Sequence, residues 1–341
     1  MKHSNNIQYA HTFAVTVTYD DRYRLLQHVV SGAFANGVEK IIIVDNGSAL
    51  ASKESIQKLE LASNGRVTVV VLPNNRGSAA GFKAGVEYAQ ACSDCEFLWL
   101  LDDDNHPTEG ALAELLTQHH KLSQSVASNK LALVSLRKDW EEHKKVAQGV
   151  PVHKAFPRRS SFMGFHFLTP PRIWSRFFPP NRVLPKEATP IEIPFAPYGG
   201  LFFHKSAVAK LGYPNERFFL YNDDTEYTYR FSQDGGKLFL VPSSVVCDLE
   251  PSWHVLDKGE TLFSHLLNAN SDLRIYYATR NQSYLARHFW MGSLITYTFN
   301  KWAFFLLLGL FALKHGKWKR VALIARAVRQ GEVGELGCLK I

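Results

Sequence analysis

LWLLDDDNHP, residues 98–107, sets a strand-like run directly against three consecutive carboxylates. Phe97 to Leu101 is apolar and uncharged, and it stops at Asp102, Asp103 and Asp104. Neighbouring carboxylates repel one another, so stability alone gives no reason to place them after a buried strand. In an extended segment alternate side chains share a side, which would project Asp102 and Asp104 together. Two carboxylates so placed can hold a hard divalent cation, and that cation can clamp a diphosphate. The same residues also read as a solvated acidic turn that caps a following helix, with Pro107 near its first turn.

The pattern repeats upstream. Phe13 to Tyr19 alternates as a strand, and Tyr23 to Phe34 has helical spacing with Leu26, Val29, Val30 and Phe34 on one face. Lys40 to Val44 is a β-branched run that ends at Asp45-Asn46-Gly47-Ser48, and Ser55 to Leu61 is helical. Val67 to Leu72 is another such run, ended by Pro73-Asn74-Asn75, and Gly77 to Cys92 reads as a glycine-opened helix. Strands alternating with helices predict an α/β fold with a mostly parallel sheet and helices on both faces. Ligands of such folds bind beyond the carboxyl ends of the strands. Asp45, Asn75 and Asp102 to Asp104 are therefore expected to converge on one crevice.

Residues 137–197, rich in Pro, Arg, Lys and aromatics, predict mixed strands and loops. Order returns with a helix from about Ser206, an acidic cluster at Asp223, Asp224 and Glu226, and a strand at Lys237 to Pro242. A carboxylate in partly apolar surroundings can serve as a general base, and a helix start can equally carry acids that complement its dipole. His254 suits either a structural role or a third ligand on a metal held by Asp102 and Asp104. The run Asn75 to Gly85 offers backbone N–H groups at a helix start but lacks the spacings of the known phosphate loops, and close helix–strand packing explains its glycines as well.

The 341 residues carry a net charge of +8, with 46% hydrophobic and 21% charged residues, which fits a full globular core. Cys92 and Cys95 lack the second pair of a zinc ribbon and read as reduced thiols. Met1 to His11 is polar, with no secretory apolar region, so a cytoplasmic catalytic portion is expected. Basic residues gather at Lys314, His315, Lys317, Lys319 and Arg320, directly after the apolar run Trp302 to Leu313. That placement favours a membrane surface over nucleic acid, which an aspartate-lined crevice would repel. Residues 294–313 are read as a helix lying in the membrane interface, with a spanning helix, a buried core helix or a contact in a homo-oligomer left open.

Taken together, AVTVTYD (14–20), IIIVDNGS (41–48), NNRGSAAGFKAG (74–85), LWLLDDDNHP (98–107), YGGLFFHKSAV (198–208) and FFLYNDDTEYTYR (218–230) resemble the family-2 inverting glycosyltransferases of the GT-A fold. The resemblance implies a catalytic domain over residues 1–256 and a helical, membrane-associating region over 257–341. It also implies a nucleotide-sugar donor, with a UDP-sugar favoured. By position, Asp45 would contact the donor base, with Thr18 and Asn75 nearby. Asp102 and Asp104 would hold Mn²⁺ or Mg²⁺ on the diphosphate, with Asp103 beside the donor and His254 completing the metal site. Asp224 would be the catalytic base. DDTEY (223–227), WH (253–254) and YYATRN (276–281) look like the galactofuranosyltransferases, which extend lipid-linked cell-surface glycans from UDP-galactofuranose. The chain departs from that pattern where Tyr198-Gly199-Gly200 replaces an expected pair of tryptophans, and the interval from Asp224 to His254 looks longer. A rhamnosyltransferase using dTDP-rhamnose and a non-catalytic glycan-assembly subunit on the same fold are the alternatives.

Overall fold

In the computed structural model, which describes residues 11–168, 189–250 and 261–339, the N-terminal third forms the alternating units the sequence implies. They run β1 (Thr12–Asp20), α1 (Tyr23–Ala35), β2 (Lys40–Ser48), α2 (Leu50–Ala62), β3 (Val67–Val71), α3 (Gly77–Ala91) and β4 (Phe97–Asp102). β1 pairs in parallel with β2 and with β4, and β2 pairs in parallel with β3. Helices cover these strands, so Ile41 to Val44 and Leu98 to Leu101 are buried on both faces. Gly81 and Gly85 let α3 lie against β1, because a Cβ at either would collide with Val17 or Val15. Those glycines are a packing device.

The rest of the sheet is mixed. The chain continues through β5 (Asn105–Pro107), α4 (Ala111–Leu122), β6 (Leu131–Arg137), α5 (Glu141–Ala147), α6 (Val152–Ala155), β7 (Ile191–Glu192), β8 (Leu201–His204), α7 (Val208–Leu211), α8 (Asp223–Gln233) and β9 (Lys237–Asp248). Among the described residues the strand order is β3-β2-β1-β4-β8-β6-β9-β5, with β7 also on β9. β8 runs antiparallel to both neighbours, β4 and β6. Four local expectations change. Pro107 stands in β5, paired with Val246, and not in the first turn of a helix. The helix expected from Ser206 is only α7, preceded by a short 3₁₀ turn. The described part of 137–197 forms helices α5 and α6 and one two-residue strand. β9 runs well past Pro242, because the register with β6 shifts between Ser135 and Leu136, and Pro242 falls in that irregularity, where no ladder N–H is needed.

Contacts divide the chain into two compact units. The first holds the sheet, from residues 11–147, 189–216 and 224–250. The second is helical, from residues 148–168, 217–223 and 261–339. It contains α9 (Leu262–Asn268), α10 (Asp272–His288), α11 (Leu294–His315) and α12 (Trp318–Val333) around a core that includes Phe162, Leu267, Phe304, Leu308 and Ile324. α11 buries one stripe, Tyr297, Asn300, Phe304, Leu308 and Ala312. Its opposite stripe is also apolar and stands in solvent: Ile295 is 84% exposed, Trp302 65% and Leu306 67%, with Phe299, Leu310 and Leu313 beside them. By length and composition α11 can cross a membrane.

Candidate active site

Three parallel strands end side by side. Thr18 of β1 is level with Asp45 of β2, and Val17 is level with Asp102 of β4. Asp45, 2% exposed, closes the β2 turn by accepting from the Ser48 N–H at 2.8 Å through Oδ1. Asn46 holds the next loop: its Oδ1 accepts from the Arg76 N–H at 2.8 Å and its Nδ2 donates to Gly77 O at 3.0 Å. Asn75 Oδ1 accepts from the Gly77 N–H at 2.9 Å, so the Asn75 carbonyl serves the start of α3.

The acidic run is a turn between β4 and β5 and not an extended continuation, so strict alternation does not decide where its side chains point. Asp103 faces back toward β1. It accepts from Thr18 Oγ1 at 2.8 Å and from Arg22 Nε at 2.9 and 3.0 Å. The Arg22 fork also reaches Asp104 Oδ2 at 3.2 Å and Glu250 Oε2 at 2.9 Å. Asp102 faces the other side, where Arg137 Nη1 donates to its Oδ2 at 3.0 Å. Arg137 Nη2 lies 2.8 Å from Asp248 Oδ1, and Asn105 Nδ2 joins Asp248 and Asp104 at 2.7 and 3.1 Å. Burial pushes each of Asp102, Asp103 and Asp104 up to about 6; repulsion from nearby carboxylates adds to the rise and the two arginines oppose it.

Gly199 explains the departure at Tyr198-Gly199-Gly200. A Cβ there would collide with Asn105 Oδ1 and stand 2.8 Å from both Asp102 Oδ2 and Arg137 Nη1. No side chain fits at this position while Asp102 keeps its place. Tyr198 packs its ring 4.2 Å from that of Phe82.

Asp223, Asp224 and Glu226 divide by role. Glu226 is buried and bonded to Arg230 Nε at 3.0 Å. Asp223 is buried at the start of α8. Asp224 is half-buried; its Oδ1 accepts from the Thr225 N–H at 2.6 Å and from Thr225 Oγ1 at 3.3 Å. Burial raises its pKa above the ordinary carboxylate value, and its charge in turn bears on Asp102. His254 lies outside the described residues.

Asp102 and Asp104 have the chemistry for a divalent cation. Their side chains are 34% and 23% exposed, both are hard oxygen donors, and two carboxylates suffice for Mg²⁺ or Mn²⁺ when diphosphate and water supply the rest. Among the described residues no third His, Cys, Asp or Glu joins them to form a cage. The four cysteines, Cys92, Cys95, Cys247 and Cys338, are all free.

Arg22, Asn105, Arg137 and Asp248 belong to this cluster and were not among the residues the sequence nominated. The signal existed for two of them: LALVSLR ends an apolar run at Arg137 and VVCD ends one at Asp248, the same cue that marks Asp45 and Asp102.

Residues 14–212 match the sequence profile described as Glycosyl transferase family 2. No curated protein matches the chain. Among solved structures, a GalNAc-T7 crystallised with UDP, GalNAc and Mn²⁺ is similar with a TM-score of 0.52 at 18% identity, covering 79% of this chain and 47% of that one. The chain thus spans about half the length of that relative. TarS from S. aureus is similar with a TM-score of 0.43 at 11% identity, covering 82% of this chain and 42% of that one. The profile match extends over more than half of the residues, and it takes in the β4 acidic turn and the Gly199 segment: the chain belongs to glycosyl transferase family 2.

Proposed function

We propose that the chain transfers a sugar from a UDP-sugar to a hydroxyl acceptor with inversion, using Asp224 as the base and a divalent cation at Asp102 and Asp104. The observation that carries this reading is the meeting of Thr18, Asp45 and the Asp102–Asp104 turn at the ends of adjacent strands, with the Asp224 carboxylate within electrostatic reach. Asp45 and Thr18 would border the donor's base. Asp102 and Asp104 would hold Mn²⁺ or Mg²⁺, which when bound supplies Lewis-acid stabilisation of the diphosphate. Arg22 and Arg137 keep the acidic turn in shape, and Gly199 keeps the space over Asp102 clear. The acceptor oxygen attacks the anomeric carbon as the Asp224 carboxylate takes its proton. The bond to the diphosphate oxygen breaks, and the nucleoside diphosphate leaves. Burial, by raising the Asp224 pKa, makes the carboxylate a better proton acceptor near neutral pH.

For the sugar, the DDTEY and YYATRN segments favour galactofuranose delivered to a lipid-linked glycan such as O-antigen, with rhamnose from dTDP-rhamnose as the competing donor. We place the protein peripherally at the cytoplasmic face of the cell membrane. The exposed stripe of α11 supports this, as does the charge of its surroundings: Leu273 to Gly331 contains ten Lys and Arg and no Asp or Glu. The other side of α11 is held by protein, with Asn300 Nδ2 donating to Ser160 O at 2.9 Å and Lys301 Nζ lying 2.8 Å from Glu332. A helix held along one side favours lying in the interface over spanning.

The test is turnover of UDP-galactofuranose, UDP-galactose, UDP-glucose and dTDP-rhamnose with Mn²⁺, with and without EDTA. Transfer from one donor, lost with EDTA and reduced about 10²- to 10⁴-fold by Asp224→Ala, supports the reading. Transfer that survives both sinks the metal and base assignments.

A further inference from the structure

The YYATRN segment, residues 276–281, carries two buried polar residues that the chemistry above does not use. Arg280 is 1% exposed and Asn281 is fully buried, both in α10. Among the described residues no carboxylate pairs with Arg280; its guanidinium serves backbone carbonyls. Nη2 donates to Phe218 O at 2.9 Å and to Arg217 O at 3.4 Å, and Nη1 donates to Gly337 O at 2.5 Å. Nε donates to Asn281 Oδ1 at 2.9 Å, which turns the amide so that Nδ2 faces the same loop. That single NH₂ lies 3.0 Å from Phe218 O, 2.8 Å from Leu220 O and 2.7 Å from Tyr221 O.

The loop so gripped is strained. Phe219, Tyr221 and Asn222 have φ of 66°, 66° and 59°, in the left-handed region that bulky side chains avoid. Phe219 is further pinned by stacking on Tyr277, with ring centroids 4.9 Å apart. Strain of this kind persists only where its surroundings impose it. The next two residues after the loop are Asp223 and Asp224, the first of α8.

We propose that Arg280 and Asn281 are positioning residues, which impose the left-handed loop at 219–222 and thereby set the entry of the chain into α8 that presents Asp224. The proposal rests on Asp224 being the base. Asn281→Asp is the sharpest probe, because it keeps the shape and replaces the NH₂ by an oxygen that repels the three carbonyls.

The experiment measures kcat with the active donor, UDP affinity by calorimetry and helicity by circular dichroism, for the full chain. Asn281→Asp is expected to lower kcat by about 30-fold or more with UDP affinity within about threefold of wild type, because the donor site itself is untouched. Asn222→Gly in the same chain should recover at least about fivefold of the loss, since glycine takes a positive φ without cost. Should Asn281→Asp not fold, Arg280→Lys, which keeps the charge and loses the planar fork, carries the same comparison. A kcat within about threefold of wild type, or a loss matched by an equal loss of UDP affinity, would overturn the proposal. Turnover that survives Asp224→Asn would overturn the base assignment and this proposal with it. Turnover that needs Asp224 and ignores Asn281→Asp would overturn this proposal alone.

Discussion

Arg137 Nη1 donates to Asp102 Oδ2 at 3.0 Å from the end of a strand that is not the neighbour of β4. The same guanidinium meets Asp248, so one cation links the ends of β4, β6 and β9. Arg137→Met would leave two carboxylates facing each other in a largely buried site. We expect a loss of about 3 kcal/mol in denaturant unfolding at pH 7.5. Asp102 already sits at about 6, above the 3.8 of an unfolded aspartate, so the folded state binds the extra proton as pH falls. Stability should therefore recover on going from pH 7.5 to 5. A variant that becomes less stable over that interval would contradict this account of the site.

Gly199→Ala tests the close approach over Asp102. The added methyl must push Asn105, Arg137 or Asp102 aside, since all three lie inside contact distance. Overpacking of this kind costs about 1–3 kcal/mol. Turnover should fall by more than the change in thermal midpoint alone explains. Wild-type kcat in this variant would show that Asp102 need not hold its position.

His143 is fully buried beside Trp140, with neither ring nitrogen bonded among the described residues. Burial pushes it down to about 3, and the charge of Arg137 adds to the shift; His119 is pushed down to about 4, again chiefly by burial. Above pH 6.5 both rings are neutral in either state and their contribution is intact. As pH falls below 6.5 the unfolded chain takes up protons that the fold refuses, at about 1.4 kcal/mol per histidine per pH unit. The aspartates at about 6 pull the other way, so the check is site-specific: the ring resonances of His143 and His119 should hold neutral values from pH 7.5 to 5. A ring that titrates near 6.5 would refute the assignment.

The exposed stripe of α11 predicts binding to vesicles containing about 30% anionic lipid, weakening as salt is raised. Leu306→Glu with Leu310→Glu should abolish sedimentation with those vesicles and leave UDP binding unchanged. If wild-type protein stays in the supernatant and instead self-associates with the stripe buried, a second copy is the partner.

Much of the first half was legible because β1 to β4 are short apolar runs that each stop at a polar cluster. Asp45, Asn75 and the Asp102 turn could be placed beyond the carboxyl ends of the strands from that rule alone. The β8 strand was not legible: LFFH has four residues, no periodicity to speak of, and its place between β4 and β6 is set by pairings far apart in sequence. Arg137 and Asp248 escaped notice because a single charge after an apolar run reads as a boundary until its partner is in view. The direction of Asp103 escaped too, since a turn breaks the alternation on which the reading relied.

The late arrival of β8 has a consequence during synthesis. β4 has one side on β1, while its other side waits for residues made about a hundred positions later. At roughly 5–20 residues per second, that leaves FLWLL as an open β-edge for about 5–20 seconds on each nascent chain. Such a segment is a template for pairing with another copy. The carboxylates of Asp102, Asp103 and Asp104 abut it, where charge disfavours that pairing. Substitutions that neutralise this turn should thus lower soluble yield as well as turnover, and the two losses will need separate measurement.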